Sequence, residues 1–479
     1  MKIAMAASEA APFIKTGGLG DVMQALPEAL SQIDGNEVCL LLPYYGQIKR
    51  DKRWNCEFLT SFSIQLAWRQ CHVGLFRLMD PSKQYQVYFV DNEQYFDRNP
   101  IYGHLDDGER FAYFSKAVLA CLNFLEFHPD LIQCNDWQTA LIPVVLHGEF
   151  RGSFPTTKTV FTIHNIEYQG WANSNFNYDV LGLPPGYTET LRYGDASNFM
   201  KAAIVSADAV STVSETYARE LQYPYYSHGM SEVLIQRGST FFGITNGIDT
   251  TVFDPAKSPH IPFHFTADTM AQQKAKNKAS LQEEQGLNPE PDVPLYVMVS
   301  RLAGHKGIDL LCYICHTLMT RSVQLAIVGT GEAQYEQALT SIARQYPGRM
   351  VVRLAFDPGL ADRMYAGADA YLMPSRSEPC GLSQLIAMHY GTVPVVHATG
   401  GLQDTVLPYN PETGEGCGFT FQSYNGEDFL DAIDRSMALY QDNRAAWNDL
   451  ARHDMSLDVS WKAPAQSYME MFKKVTGLS

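Results

Sequence analysis

Short apolar runs alternate with longer amphipathic segments along most of the chain. Runs at 2–7, 37–42, 86–90, 130–134 and 157–163 have the length and apolar content of buried strands, and 209–213 and 243–245 add two more. Between them, 20–31, 109–125, 139–147 and 199–206 repeat apolar positions at helical spacing. Such alternation predicts a parallel sheet with helices on both faces. After a polar helical stretch at 267–284 and a Pro-rich turn the pattern restarts. Strands are predicted at 295–300, 324–328, 350–354, 370–373 and 393–396, and helices at 308–319, 332–345, 360–366 and 382–390. Turn signals at Asn246-Gly247 and Asp254-Pro255 mark the boundary. The fold class read from this pattern is α/β, with two Rossmann-like doubly wound domains facing a deep cleft. They span 1–250 and 251–458, and an amphipathic helix within 459–479 is expected to pack back on the first domain.

At 479 residues the chain is too long for one ordinary core, which agrees with two domains. Its formal net charge of −16 argues against nucleic acid and anionic membrane as partners. No run of eighteen apolar residues occurs, and Glu9, Lys15 and Asp21 interrupt the N-terminal run too early for a signal peptide. The 9 cysteines are scattered. Cys312 and Cys315 are spaced like metal ligands but lack a second pair, so no metal is expected and the usage fits the cytoplasm.

Candidate chemistry lies where predicted strands end. Lys15-Thr16-Gly17-Gly18-Leu19-Gly20-Asp21 follows the first strand and leads into a helix. It suits an anion held by backbone amides, and equally a plain glycine turn. Arg301 and Lys306 frame a glycine-containing turn after strand 295–300, where a fork and a point charge suit a diphosphate. Gly329-Thr330-Gly331 offers a second amide nest or an ordinary turn. Glu378-Pro379-Cys380-Gly381-Leu382-Ser383 precedes a helix, with Glu378 placed to accept hydrogen bonds from sugar hydroxyls. Asn135-Asp136-Trp137 and Thr162-Ile163-His164-Asn165 end two further strands. Asp136 suits a helix cap or a sugar ligand, Trp137 a stacking face, and His164 a structural role as readily as a catalytic one.

Taken in order, these motifs resemble the bacterial glycogen synthases and plant starch synthases, family 5 of the retaining glycosyltransferases with the GT-B fold. The likeness also rests on Ser8-Glu9-Ala10-Ala11-Pro12-Phe13, Tyr168-Gln169-Gly170, Thr245-Asn246-Gly247-Ile248-Asp249, Pro374-Ser375-Arg376 and Thr399-Gly400-Gly401-Leu402, and runs nearly end to end. It implies that ADP-glucose donates glucosyl units to the 4-hydroxyl of an α-1,4-glucan, with the first domain on the acceptor side and the second on the donor side. Lys15, Gly17, Gly18, Arg301 and Lys306 would then hold the diphosphate, with Gly329, Thr330, Cys380, Gly381, Leu382 and Ser383 also at the donor. Asp21, His164, Glu378 and Asn246 would surround the glucosyl group, and Leu354 and Tyr365 would lie near the base. Tyr95, Asp136 and Trp137 would face the acceptor or donor sugar. Many GT-B enzymes carry a second glutamate eight residues after the first; here that position is Ile386, so the ribose contact comes from elsewhere.

The expected reaction is a same-face substitution in which the donor's own phosphate takes the acceptor's proton, with no cofactor. Competing readings are a UDP-sugar-dependent transferase, a sugar-nucleotide 2-epimerase and a non-catalytic glucan-binding protein. The second and third would need no acceptor elongation. Cys380 beside the site implies thiol alkylation that ADP-glucose blocks.

Overall fold

A computed structural model describes residues 1–478. The chain divides into two compact units, one of Met1–Asn246 with the residues from Trp461 onward, the other of Gly247–Ser460.

The first unit is built on β1 (Lys2–Ala6), β2 (Glu37–Pro43), β3 (Cys56–Leu66), β4 (Arg69–Leu78), β5 (Gln86–Asp91), β6 (Leu131–Asn135) and β7 (Lys158–Ile163). A small separate sheet holds β8 (Trp171–Asn173), β9 (Arg192–Tyr193) and β10 (Ala196–Asn198), and β11 (Ala209–Thr212) and β12 (Phe241–Gly243) complete the main sheet. The main order is β12-β11-β7-β6-β1-β2-β5-β4-β3. Pairing is parallel from β12 to β5. The purely parallel expectation is corrected at one edge, where β3 and β4 form an antiparallel hairpin that also pairs antiparallel with β5. The hairpin alternates: Ser61, Ser63, Gln65, Gln70 and His72 are exposed while Ile64, Leu66, Cys71, Val73 and Leu75 are buried. One solvated face is what antiparallel sheet tolerates and buried parallel sheet does not. The predicted helix 139–147 is present as a helical run that begins with a 3-10 turn at Trp137–Thr139, is α-helical over Leu141–Val145 and widens to π geometry over Leu146–Phe150.

The last helix, Lys462–Thr476, buries Ala465, Tyr468, Met469, Met471 and Phe472 in this unit's core. It packs on helix Gly18–Ser31, and Met469 accepts a hydrogen bond from Asn36 at 3.3 Å.

The second unit contains β13 (Leu295–Val299), β14 (Gln324–Val328), β15 (Met350–Arg353), β16 (Ala370–Met373), β17 (Val393–His397) and β18 (Phe419–Phe421), all parallel, in the order β15-β14-β13-β16-β17-β18. This is the doubly wound order with its switch point between β13 and β16, where open sheets bind ligands. β18 and the helices Gly426–Asp442 and Arg444–Ser456 extend the unit beyond the last predicted strand. Helix Met270–Gln285 is polar, yet Lys274, Asn277, Lys278 and Gln282 are buried. Lys274 donates to the carbonyls of Tyr365, Ala366 and Tyr390 at 3.0, 3.2 and 3.0 Å, and Lys278 to those of Pro291 and Val293 at 3.0 and 2.6 Å. The helix is held by satisfying chain ends that would otherwise be buried without partners.

Phe472 is fully buried. Phe472→Ala is expected to lower the stability of the first unit by about 3–5 kcal/mol in urea unfolding; a loss below about 1 kcal/mol would mean that the helix does not belong to that core.

Candidate active site

In the first unit the candidates sit beyond the C-terminal ends of β1, β6 and β7, adjacent strands of one sheet. The chain moves from β1 to β2 on one side and later returns to β6 on the other, so this too is a switch point. Helix Gly18–Ser31 starts at Gly18 behind an extended Gly17. A side chain at Gly20 would place its Cβ 2.9 Å from the Lys15 stem, which lies across that glycine. Lys15 Nζ meets Asp21 Oδ1 at 2.7 Å. Burial raises the Asp21 pKa and Lys15 opposes the shift.

The loop is held from below by Glu9, whose side chain accepts from the Thr16 amide at 2.5 Å and the Thr16 hydroxyl at 2.8 Å. Burial pushes the Glu9 pKa up to about 7, against the two Thr16 hydrogen bonds. Nothing local in the sequence marks this role of Glu9, because its partner, Thr16, lies in the next loop.

Asp136 has φ 57° and ψ −179°, a conformation rare outside glycine that marks local strain. Its Oδ1 accepts from the amides of His164 and Asn165 at 2.7 and 3.3 Å. Burial raises its pKa to about 7, and these two bonds oppose the rise. Asn135 Nδ2 donates to the Ala6 carbonyl at 3.0 Å, so its Oδ1 faces His164 Nε2 at 2.9 Å and accepts. That assigns the proton of His164 to Nε2 and leaves Nδ1 as an acceptor. Burial pulls the pKa of His164 down to about 3, so the ring is neutral at physiological pH.

Trp137 packs edge-on to Phe111 at 5.1 Å and against Gly170, where φ is 70° and a Cβ would come within 2.5 Å of the indole. Asn246 is 6% exposed, and among the described residues its Oδ1 has no hydrogen-bond partner. Tyr95 requires correction: it is 2% exposed and donates its hydroxyl to Glu109 at 2.6 Å, so it is a core residue without a free face for a sugar.

In the second unit a cavity of about 150 Å³ opens between the ends of β13 and β16, lined by Ser300, Arg301, Lys306, Tyr371, Ser375 and Ser383 among others. Lys306 Nζ donates to both oxygens of Glu378, at 2.9 and 2.7 Å, and Ser375 donates to Oε2 at 2.9 Å. Glu378 is 6% exposed. Arg301 is exposed, and among the described residues no partner holds its guanidinium. Gly307 is required: φ is 75° and a Cβ would lie 2.0 Å from the Pro374 carbonyl. The Lys306 turn therefore lies directly on the segment that carries Glu378. From the other side, Gly401 donates to the Glu378 carbonyl at 3.0 Å, and a Cβ there would lie 2.1 Å from the Cys380 carbonyl.

Three expectations change. The amides on either side of Thr330 already donate to protein: Gly329 to the Arg353 carbonyl, Gly331 to Glu336 and Glu332 to the Leu302 carbonyl. The glycines permit close backbone crossing, since Cβ atoms at Gly329 and Gly331 would fall 1.8 Å from Ser300 O and 2.2 Å from Leu302 O. The loop braces Arg301 and leaves at most the amide of exposed Thr330 for an anion. Tyr365 is 3% exposed, packed between Tyr371 and Tyr390, so it offers no face to a base. Cys380 is 5% exposed, which removes the basis for ready thiol alkylation.

Leu354 stays at the end of β15, 45% exposed, and Phe356 beside it, 78% exposed, was not singled out from sequence. Helix Ser383–His389 begins with Leu382 as its N-cap and Ser383 on the cavity, after Gly381 at φ 73°. Among the described residues no group of three or more His, Cys, Asp or Glu is arranged to hold a metal, and no helix is long and apolar enough to cross a membrane.

Two Rossmann-like units, one with cations at its switch-point cavity, form the class of doubly wound proteins that bind ligands at strand ends. Residues 2–236 match the family described as starch synthase catalytic domain, and residues 280–454 match glycosyl transferases group 1. The chain is 45% identical to glycogen synthase of Exiguobacterium sibiricum over 99% of both chains, and 42% identical to that of Clostridium acetobutylicum over 99% of this chain and 100% of that one. The solved catalytic domain of starch synthase IV from Arabidopsis thaliana, bound to ADP and acarbose, superposes with a TM-score of 0.91 at 31% identity, covering 99% of each chain. Sucrose-phosphate synthase from Thermosynechococcus elongatus shares the fold, with a TM-score of 0.61 at 18% identity and 100% coverage of both. The protein belongs to the starch synthase family of glycosyltransferases.

Glu9 and Asp136 bind protons more tightly folded than unfolded. Each therefore stabilises the fold less as pH rises from its ordinary value toward about 7. Glu9→Gln should flatten the decline in stability over about pH 4.5–7, worth at most about 3 kcal/mol. Parallel wild-type and variant curves of denaturation midpoint against pH would contradict the assignment.

Proposed function

We propose that this protein transfers the glucosyl group of ADP-glucose to the 4-hydroxyl at the non-reducing end of an α-1,4-glucan, with retention, as a glycogen synthase. The observation that carries this reading is the end-to-end likeness to glycogen synthases, 45% identity over 99% of both chains. The ADP and acarbose bound by the Arabidopsis relative support a nucleotide-sugar donor and a glucan acceptor. The nine cysteines are all free, as in a reducing compartment, and we place the reaction in the cytoplasm.

On this reading Arg301, unpartnered at the cavity, grips the β-phosphate as a fork. Lys306 adds a second positive charge, held in place by Glu378 and Ser375. A carboxylate offers about four acceptor positions, so Glu378 keeps capacity for sugar hydroxyls while it holds Lys306. As the bond from C1 to the phosphate oxygen breaks, these cations take up the charge gained by the diphosphate. The acceptor's O4 bonds to C1 on the same face, and its proton passes to the leaving phosphate oxygen. His164 is neutral, so it does not serve as an acid.

Asp136 is a poor nucleophile candidate because its Oδ1 already accepts two backbone amides and its pKa is raised to about 7. It positions the His164–Asn165 turn. Leu354 and Phe356 flank the base, and the scheme needs no cofactor or metal. The domain labels follow: the first unit serves the acceptor and the second the donor.

Labelled ADP-glucose incubated with glycogen should give label in α-1,4 linkage after debranching and linkage analysis, with UDP-glucose the weaker competitor. No incorporation, or label released only as free sugar, would overturn the reading. Arg301→Ala should lower kcat/KM about 10²–10³-fold, the scale of losing one transition-state donor. Its melting temperature should be unchanged because the side chain is exposed. Near-normal turnover would remove Arg301 from this role.

A further inference from the structure

His397 ends β17 and is 6% exposed. Its Nδ1 lies 2.7 Å from the Ser375 carbonyl and its Nε2 3.2 Å from the Gln422 carbonyl. Both neighbours can only accept, so each calls for an N–H from the ring. A neutral imidazole has one N–H, and only the imidazolium has two. Ser375 is the residue whose hydroxyl donates to Glu378 at 2.9 Å, and Glu378 holds Lys306. A ring that grips the Ser375 carbonyl therefore fixes the chain segment that carries the carboxylate.

We propose that His397 is a positioning residue for the Lys306–Glu378 pair: it holds the Ser375 carbonyl when neutral, and gains the second bond, to Gln422, when its ring takes up a proton. The neutral ring donates from Nδ1, the shorter contact, and turns a lone pair toward the Gln422 carbonyl. Protonation replaces that repulsion by a hydrogen bond and locks β17, the Ser375 segment and the end of β18 together.

The surroundings permit this. The Tyr424 ring lies edge-on to His397 at 5.4 Å, and the Phe421 ring is tilted against it at 5.1 Å. The Tyr424 hydroxyl donates to Asp309 at 2.5 Å. The Arg376 guanidinium lies over the Tyr424 ring at 4.8 Å and pairs with Asp309 at 3.0 Å. The remaining charge nearby, Glu378, is paired with Lys306. Each neighbouring charge is thus already balanced, and the ring responds mainly to burial, which lowers its pKa, and to the two carbonyls, which raise it. Burial outweighs the carbonyls, so the ring takes up its proton below the ordinary imidazole value, and the second bond forms as pH falls.

The inference rests on the donor reading above, and two measurements separate the two. In calorimetric titration with ADP, His397→Phe should weaken binding about tenfold, the loss of about one hydrogen bond. His397→Arg carries donors for both carbonyls at every pH. The ratio of wild-type to His397→Arg affinity, in which the titration of ADP itself cancels, should rise about threefold from pH 7.5 to 5.5 as the one further bond, to Gln422, forms in wild type. A constant ratio together with normal binding by His397→Phe would overturn the proposal.

Nuclear magnetic resonance of the ligand-free protein supplies the second arm. His397 should carry its proton on Nδ1 at pH 7.5, and its titration should shift the amide signals of residues 375–378 in wild type but not in His397→Arg. An Nε2–H tautomer, or identical shifts in both proteins, would overturn it even if wild type bound no ADP, a result that would fall on the donor reading alone.

Discussion

The carboxylate of Glu378 is 6% exposed and receives both of its Lys306 hydrogen bonds within 2.9 Å, so an ion pair is drawn largely out of water. Such a pair is stable only with good geometry and satisfied lone pairs, and leaving one charge unpaired costs about 3–5 kcal/mol. Much of the local architecture serves that demand. Gly307 lets the Lys306 turn lie on Pro374, Ser375 fills a second position on the carboxylate, and Gly401 brings a further loop against the segment's backbone. Arg301, braced by the crossing of Leu302 with Gly331, stays free to meet a ligand.

The first unit solves a different problem. It places two carboxyls, Glu9 and Asp136, in surroundings that favour their protonated forms, and a histidine that stays neutral. These groups hold backbone rather than exchange protons with a substrate. Glu9 fixes the start of the Lys15 loop through Thr16, and Asp136 fixes the turn at His164 through two amides. The outcome is a rigid, weakly charged surface at the ends of β1, β6 and β7.

Which parts were legible in the sequence follows from the range of each interaction. Strands such as Gln324–Val328 and Ala370–Met373, and helix Phe199–Ser206, are set by local apolar runs and their spacing, and their limits were read correctly. The β3–β4 hairpin escaped because its Ser, Gln and Arg positions break the apolar run that marks a buried strand. The glycines of Gly329-Thr330-Gly331 fit an anion nest and an ordinary turn equally, because a glycine pattern does not say whether backbone or ligand comes close. Tyr95 and Tyr365 were assigned by likeness alone, and packing removes their free faces. His397 and Ser375 are 22 residues apart in sequence, so nothing local to either marks the contact.

The central claim is that the second unit binds its donor through the diphosphate, by cations at the end of β13. The most direct measurement compares ADP and AMP affinities in wild type and Arg301→Ala by calorimetry. The account predicts that wild type strongly prefers ADP, and that the variant loses ADP affinity while AMP affinity stays unchanged. Equal losses for both ligands, or an intact preference for ADP in the variant, would contradict it.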